Sequence, residues 1–293
     1  MTNETWTIAK LLKWTQDYFA QNDIPSPRLD AEVLLAHAAG LKRIELYTNF
    51  DSIVDDEQRA KFRGFVRERV ERKPTAYIVG EREFMSMAFR VTPDVLIPRP
   101  ETEFIVEGTL ARIANKNAEM LIADIGTGSG CIAISLAARL PRTRFVAVDI
   151  SQAALAIARE NAERHGVADR IEFIAGNMLE PLAAGGYAGK VDFLVSNPPY
   201  ISEREWPEVM PDVRLHEPKG ALLAEGDAMK FYRVLASNAN KVLHDGGWAM
   251  VEAGAGRTEE ISAIFAEKLS ASDIQTIKDY QGVGRVVAAQ TKR

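Results

Sequence analysis

From residue 120 to the end of the chain, segments with a strand pattern alternate with segments that have a helix pattern. Apolar runs typical of buried strands lie at 120–125, 144–149, 171–175, 191–196 and 247–252. Runs with helical spacing of apolar residues lie between or after them, at 131–139, 152–165, 227–243 and 258–268. Such repeated alternation predicts an α/β fold, in which a parallel sheet carries helices on both faces. Two short strands around Ile274 and Val286 follow without an intervening helix, and they predict an antiparallel hairpin at one edge.

The first 74 residues have a different pattern. Apolar residues recur at helical spacing in three segments between Ile8 and Val70, and none of these segments has strand-like alternation. Further on, Tyr77–Gly80 and Glu83–Val91 resemble extended pieces around a turn. We therefore expect three parts, namely a helical bundle at 1–74, a β-hairpin linker at 75–100 and the α/β domain at 101–293.

Composition narrows the class of protein. Of the 293 residues, 46% are hydrophobic and 26% are charged, which excludes a disordered chain. The longest uncharged run, 125–138, contains Gly, Ser and Thr and falls short of the roughly 20 apolar residues of a membrane span. A single cysteine, Cys131, excludes a disulfide framework and, without a signal-peptide pattern, favours a cytoplasmic location. The net charge of -5 weakens the case for a nucleic-acid partner.

A glycine-rich loop follows the first strand of the α/β part. It consists of Gly126, Thr127, Gly128, Ser129 and Gly130. Glycines at the carboxyl end of a strand let a ligand approach the backbone, and the free N–H groups at the start of the next helix attract a carboxylate or phosphate. A dinucleotide fingerprint has the spacing G-x-G-x-x-G, but its last glycine is replaced here by Cys131. The spacing therefore disfavours a pyrophosphate-bearing cofactor such as NAD.

Polar and sulfur-containing residues follow the next two strands. Asp149 ends the second strand, where a carboxylate can accept hydrogen bonds from ribose hydroxyls. Asn177 and Met178 follow the third strand, where the amide can meet an adenine amino group and the thioether can pack on the ring. Together with the glycine loop, these residues predict an adenosine ligand that carries an amino acid, which is S-adenosylmethionine.

The fourth strand ends in Asn197, Pro198, Pro199 and Tyr200. The prolines lack N–H donors, which leaves the Asn197 side-chain oxygen and the Pro198 carbonyl as neighbouring acceptors for a planar NH2 group. Tyr200 offers a flat face for stacking. Because the lone pair of an amide or exocyclic amine is delocalised, its nitrogen needs stabilisation and alignment in order to attack a sulfonium methyl. This element therefore predicts catalytic roles for Asn197, Pro198 and Tyr200.

Six motifs stand in order between residues 75 and 290. They are Gly80–Phe84, Ile97–Glu103, Asp124–Gly130, Asn197–Ile201, Asp212–Pro218 and the segment from Asp279 to Arg285. As a set they resemble the HemK-type (PrmC) protein-glutamine N5-methyltransferases. The resemblance implies a class I S-adenosylmethionine-dependent methyltransferase with a Rossmann-like seven-stranded sheet, behind a small helical substrate-recognition domain.

The same resemblance implies roles for particular residues. Cofactor contacts are implied at Gly126–Gly130, Asp149, Met178 and Asn197, and the substrate glutamine is held by Asn197–Tyr200. The implied partners are class 1 peptide chain release factors, which this family modifies at the glutamine of a Gly-Gly-Gln motif. The chain departs from the usual family pattern at two positions. Members of the family usually have an acidic residue in place of Asn177 and often have an aromatic residue in place of Met178.

Two other functions share the Asn-Pro-Pro-Tyr element. A glutamine methyltransferase of a large-subunit ribosomal protein resembles the same group but usually has Arg-Ser-Pro in place of 99–101. An adenine-N6 or guanine-N2 nucleic-acid methyltransferase normally carries a large recognition domain, so that we expect no direct nucleic-acid substrate. The third predicted helix is rich in basic residues between Arg59 and Lys73, which fits either a solvated face or a docking face. The four histidines lack metal-ligand spacing, and no metal site is expected.

Overall fold

The structure, a computed structural model, describes residues 5–269 and 271–292. These residues form two compact units. The first unit holds the described residues up to Gly80 together with Met210–His216, and the second holds Glu81–Val209 and the described residues from Glu217 onward. In the part of the chain that the structure describes, no helix has the length and apolar character needed to cross a membrane.

The helices and strands have the following bounds. The helices are α1 (Ile8–Gln21), α2 (Pro27–Ala39), α3 (Arg43–Thr48), α4 (Asp56–Val70), α5 (Thr75–Val79), α6 (Glu103–Arg112), α7 (Cys131–Ala137), α8 (Gln152–Arg164), α9 (Glu180–Ala184), α10 (Pro211–His216), α11 (Lys230–Val242) and α12 (Thr258–Lys268). The strands are β1 (Glu81–Phe84), β2 (Met87–Arg90), β3 (Leu121–Ile125), β4 (Arg144–Asp149), β5 (Ile171–Ala175), β6 (Val191–Ser196), β7 (Leu243–Glu252), β8 (Asp273–Lys278) and β9 (Gly284–Gln290).

The helices α1 to α5 enclose the core of the first unit. α4 begins at a capping box, in which the Asp55 carboxylate accepts the backbone N–H of Gln58 at 2.8 Å. α2 ends at Gly40, whose φ of +68° is the left-handed conformation typical of a helix C-cap. The apolar faces of these helices meet around fully buried side chains such as Phe19 and Leu34. The predicted helical bundle is therefore present.

A buried group of charges joins α2, α4 and α10 within the first unit. Arg69 is 4% exposed, and its guanidinium donates to Asp30 at 2.7 Å and to Asp212 at 2.5 Å. A buried arginine needs such partners because a charge without them is costly in a protein interior. At Arg69, therefore, the basic helix α4 is part of the packing of the unit and not of a solvated face.

Within the described residues of the second unit, seven strands form one sheet in the order β5-β4-β3-β6-β7-β9-β8. The strands from β5 to β7 in this order pair in parallel, while β9 is antiparallel to both β7 and β8. Alternate strand residues contribute to two separate cores. α11 and α12 cover one face, and α6 and α7 cover the other. The predicted α/β fold with an antiparallel hairpin at one edge is confirmed.

The main differences from prediction concern short elements. β1 and β2 form a hairpin within the predicted linker, but its turn is at Met85 and Ser86, inside the segment Glu83–Val91 that was predicted to be extended. The extended conformation predicted for Tyr77–Gly80 is wrong. Residues Thr75–Val79 form the helix α5, which Gly80 ends with a φ of +78°. An apolar run of five residues with β-branched members is too short to display the helical period and resembles a strand. The six-residue helix α3 was not predicted because it, too, is too short to display the helical period.

Candidate active site

The carboxyl ends of β3, β4, β5 and β6 lie together at one edge of the sheet. The strand register makes these ends level: Ile125 pairs with Val148 and with Ser196, and Asp149 pairs with Ala175. Each predicted site residue ends one of these strands or lies within the five residues that follow it. Because parallel α/β sheets bind their ligands at this edge, the structure places the predicted residues in the expected region.

The glycine loop turns sharply after β3. Gly126, Gly128 and Gly130 have φ values of +73°, +56° and +82°, a conformation that side chains disfavour. The backbone N–H groups of Gly126 and Thr127 both donate to the Val148 carbonyl, at 2.8 and 3.0 Å. A Cβ built at Gly128 would meet no atom of the described residues within 4 Å. The loop is therefore held against β4 while its middle faces open space.

Two buried polar groups lie behind this loop. The Asp124 Oδ2 accepts the Thr127 hydroxyl at 2.7 Å and the Ala133 N–H at 3.2 Å, which fixes the loop to the start of α7. Burial raises the pKa of Asp124 to about 7. Among the described residues, the other Asp124 oxygen and the Ser129 hydroxyl have no hydrogen-bond partner. Asp124 thus fixes the shape of the loop, and the Ser129 side chain is buried behind it.

Asp149 connects the loop to the end of β4. Its Oδ2 accepts the N–H of Gly128 at 2.9 Å, and its Oδ1 accepts the N–H of Ser151 at 2.9 Å. Burial raises the pKa of this carboxyl, and the backbone N–H donors oppose that shift. Its backbone carbonyl accepts the N–H of Gly176 at 3.0 Å, which brings the segment after β5 alongside.

Asn177 and Met178 are therefore near Asp149 in the fold, but their side chains have other contacts. Asn177 is exposed, and its amide donates to Glu180 at 3.2 Å. Met178 has a φ of +51° and packs partly against the core beneath α11 and α12. Contact of these two side chains with an adenine stays a prediction.

The Asn197–Tyr200 segment is anchored at both of its sides. Ser196, just before it, donates its hydroxyl to the Ile125 carbonyl at 2.7 Å. Pro198 is buried and Pro199 is half-buried. The Tyr200 ring lies against Gly254, where an added Cβ would come within 3.2 Å of the ring. Burial raises the pKa of Tyr200 to about 12, so that the phenol is neutral at physiological pH.

The Asn197 side chain has a defined hydrogen-bond direction. Its Nδ2 donates to the Thr102 hydroxyl at 3.1 Å. Within the described residues, no hydrogen bond occupies its Oδ1. The backbone carbonyl of the same residue lies 4.0 Å from the position of a Cβ built at Gly126. The Asn-Pro-Pro-Tyr element and the glycine loop are therefore neighbours.

Sequence patterns did not identify Thr102 and Glu252 as site residues. The Thr102 hydroxyl donates to Glu252 Oε2 at 2.6 Å, and both residues are 2% exposed. Burial raises the pKa of Glu252 to about 7. Glu252 is the last residue of the otherwise apolar half of β7, at the carboxyl edge of the sheet. An acid in that place is a signal that could have been noticed.

Fold and site together define a class I methyltransferase. A methyltransferase small domain model matches residues 107–229, and a PrmC N-terminal domain model matches residues 10–80. The chain belongs to the release factor glutamine methyltransferase family. It is 42% identical to the protein of that name from Geobacter sulfurreducens, over 98% of both chains. It is also 42% identical to that from Rhodopirellula baltica, over 99% of this chain and 98% of the relative.

A solved structure agrees at the level of the fold. The catalytic domain of hMettl16 aligns with a TM-score of 0.55 and 18% identity, and the match covers 78% of this chain and 82% of that chain. At that identity the likeness concerns the fold alone. It supports the class I assignment of the second unit and carries no information on the substrate.

Proposed function

We propose that this protein transfers the methyl group of S-adenosylmethionine to the side-chain amide nitrogen of the glutamine in the Gly-Gly-Gln motif of class 1 peptide chain release factors. One observation carries the chemistry: the Asn197 amide is held by its nitrogen, so that its oxygen is available at the edge of the sheet beside the glycine loop. The choice of substrate rests on the names of the relatives.

The residues at this edge fit S-adenosylmethionine. The open space above Gly128 lets a ligand approach the backbone. Asp149 gives one oxygen to each of two backbone N–H groups, and a carboxylate has about four lone-pair positions, so that acceptors stay free for ribose hydroxyls. Asn177 and Met178 would lie at the adenine end. When bound, the cofactor supplies a methyl group on a positively charged sulfur.

On the substrate side, Asn197 and its neighbours hold and orient the amide. The Asn197 Oδ1 accepts one substrate N–H, which fixes the plane of the NH2 group and stabilises the positive charge that develops on its nitrogen. The Pro198 carbonyl is the second acceptor. The neutral Tyr200 ring and Pro199 confine the group between them. No strong base is needed, because the nitrogen becomes acidic once it has been methylated.

The proposed function gives each of the three predicted parts of the chain a role. Residues 1–74 would recognise the substrate protein, 75–100 would link the domains, and 101–293 would carry the reaction. Exposed aromatic rings on α1 support a docking role: Trp14 is 50% exposed and stacks on Tyr18 with 5.0 Å between ring centroids. Aromatic anchors of this type often dominate protein interfaces.

That docking role has a direct test. Trp14→Ala should raise KM for an intact release factor about tenfold while the affinity for S-adenosylhomocysteine stays unchanged. Steady-state kinetics and calorimetry provide the two measurements. An unchanged KM for the protein substrate would exclude Trp14 from the docking surface.

The substrate class is tested by offering the alternatives side by side. The enzyme is incubated with radiolabelled S-adenosylmethionine and with purified release factor, ribosomal large-subunit proteins, ribosomal RNA or DNA. We expect label in the release factor alone. Label in a ribosomal protein or a nucleic acid, with none in the release factor, would reject the proposed substrate in favour of that alternative.

A further inference from the structure

A chain of hydrogen bonds runs from Asn197 into the interior of the second unit. The Asn197 Nδ2 lies 3.1 Å from the Thr102 Oγ1, and that oxygen lies 2.6 Å from the Glu252 Oε2. Glu252 is itself fixed, because its backbone carbonyl accepts the hydroxyl of Tyr232 at 2.8 Å. Thr102 lies 95 residues before Asn197 in the sequence and Glu252 follows it, so that this arrangement exists only in the fold.

The number of donors and acceptors decides which group donates to which along this series of hydrogen bonds. An ionised Glu252 can only accept, so that the single hydroxyl proton of Thr102 must point towards it. The Thr102 oxygen then has only lone pairs to offer to Asn197, and it selects the NH2 end of the amide. The amide oxygen of Asn197 must therefore point the other way, out of the interior.

We infer that Thr102 and Glu252 are positioning residues, which hold the Asn197 amide with its oxygen towards the substrate NH2 group. The inference rests on the proposed function, since the direction of the amide matters only if Asn197 has to accept a substrate N–H. With the amide reversed, an NH2 group would face the substrate NH2 group, and two donors cannot bond to each other. An asparagine without this support would populate both directions.

The protonation state of Glu252 sets the direction in which the Asn197 amide points. A protonated Glu252 can donate to Thr102, whose hydroxyl is then free to donate to Asn197, and the amide reverses. Burial raises the pKa of Glu252 to about 7. The hydrogen bond from Thr102 opposes this shift, as do Arg99 and Arg285, whereas Glu101 adds to it. Tyr200, Tyr232 and Cys131 also interact electrostatically with Glu252. Above pH 7 the ionised form orients Asn197 for binding, and below it the orientation is lost.

The orientation can be observed without any substrate. The protein is labelled with 15N-asparagine, and the side-chain NH2 signals of Asn197 are identified by their loss in Asn197→Ala. In the wild type these signals should shift with pH about a midpoint near 7. In Glu252→Gln the midpoint should disappear. A wild-type signal that is constant between pH 5 and 9, or an unchanged midpoint in Glu252→Gln, would refute the inference whatever the enzyme methylates.

Kinetics supply the second test, with a matched control. Thr102→Val should lower kcat on the release factor about 10- to 100-fold, with KM and S-adenosylhomocysteine affinity nearly unchanged. Thr102→Ser keeps the hydroxyl and should recover most of that loss. Thr109 is equally buried, and its hydroxyl has no partner among the described residues, so that Thr109→Val is the control for loss of a buried hydroxyl.

Each kinetic outcome has one meaning. A large loss in Thr102→Val, with recovery in Thr102→Ser and wild-type activity in Thr109→Val, supports the positioning role. Equal losses in Thr102→Val and Thr109→Val, or wild-type kcat in Thr102→Val, would overturn it. A wild-type enzyme that leaves the release factor unmodified would refute the proposed function, and the asparagine signals would then still decide whether Glu252 directs the Asn197 amide.

Discussion

Replacement of Asp149 by alanine removes a carboxylate that connects two parts of the proposed cofactor site. Its two oxygens accept the N–H groups of Gly128 and Ser151, each at 2.9 Å. The mutation therefore removes the proposed ribose acceptors and also releases the middle of the glycine loop. Both effects weaken cofactor binding, because the loop must be ordered again when the ligand binds.

The size of the effect follows from these contacts. A hydrogen bond to a charged group contributes about 1.5–3 kcal/mol, although the released backbone N–H groups recover part of this by bonding to water. We expect a net loss of about 2 kcal/mol, which corresponds to a Kd about 30-fold higher.

Calorimetry with S-adenosylhomocysteine measures this change directly. Asp192→Ala is a matched control, since Asp192 also accepts a backbone N–H, that of Leu121 at 2.7 Å, but at the opposite end of β3. Its Kd should equal that of the wild type. A Kd for Asp149→Ala within twofold of the wild type, or equal weakening in both variants, would refute the reasoning.

Three further predictions concern activity and stability. Asn197→Ala should lower kcat about 100-fold or more while circular dichroism stays that of the wild type, and turnover within threefold of the wild type would remove Asn197 from the mechanism. Arg69→Ala should cost about 3–5 kcal/mol in unfolding free energy, because Asp30 and Asp212 lose their hydrogen bonds to the guanidinium, whereas Arg63→Ala on the exposed side of α4 should cost little in urea denaturation. The pKa of Glu252 in the folded protein is raised above its ordinary value, so that the fold favours the protonated carboxyl. The stability that this carboxyl contributes is complete at low pH and is lost as pH rises through about 7. Glu252→Gln should therefore gain about 2–3 kcal/mol relative to the wild type between pH 5 and 8, and parallel stability curves would contradict this.

The sequence predicted the regular elements of the sheet well. The bounds of β4, β5, β6 and α12 agree with prediction, since each is a buried or amphipathic run that ends at a polar or glycine-containing turn. β7 begins at Leu243, four residues earlier than predicted. The prediction missed this part of the strand because His244, Asp245 and Gly246 interrupt the apolar pattern. Local pattern therefore predicts an element best where one face is buried along its whole length.

The contacts of the site were less predictable than its location. Strand ends predicted that Asp149 and Asn197 share one edge, because parallel strands align their carboxyl ends. The bond between Thr102 and Glu252 joins residues 150 positions apart, and that between Arg69 and Asp212 joins residues 143 positions apart. No local pattern encodes such pairs, since they depend on how whole elements pack.

The central proposal is a single methyl group on one glutamine nitrogen of a release factor. Purified class 1 release factor is incubated with the enzyme and S-adenosylmethionine, digested and mapped by tandem mass spectrometry, with Asn197→Ala as the parallel enzyme. The proposal predicts the mass of one methyl group on the side chain of the Gly-Gly-Gln glutamine with the wild type, and almost none with Asn197→Ala. An unmodified glutamine, or a methyl group on another residue, would contradict the proposal.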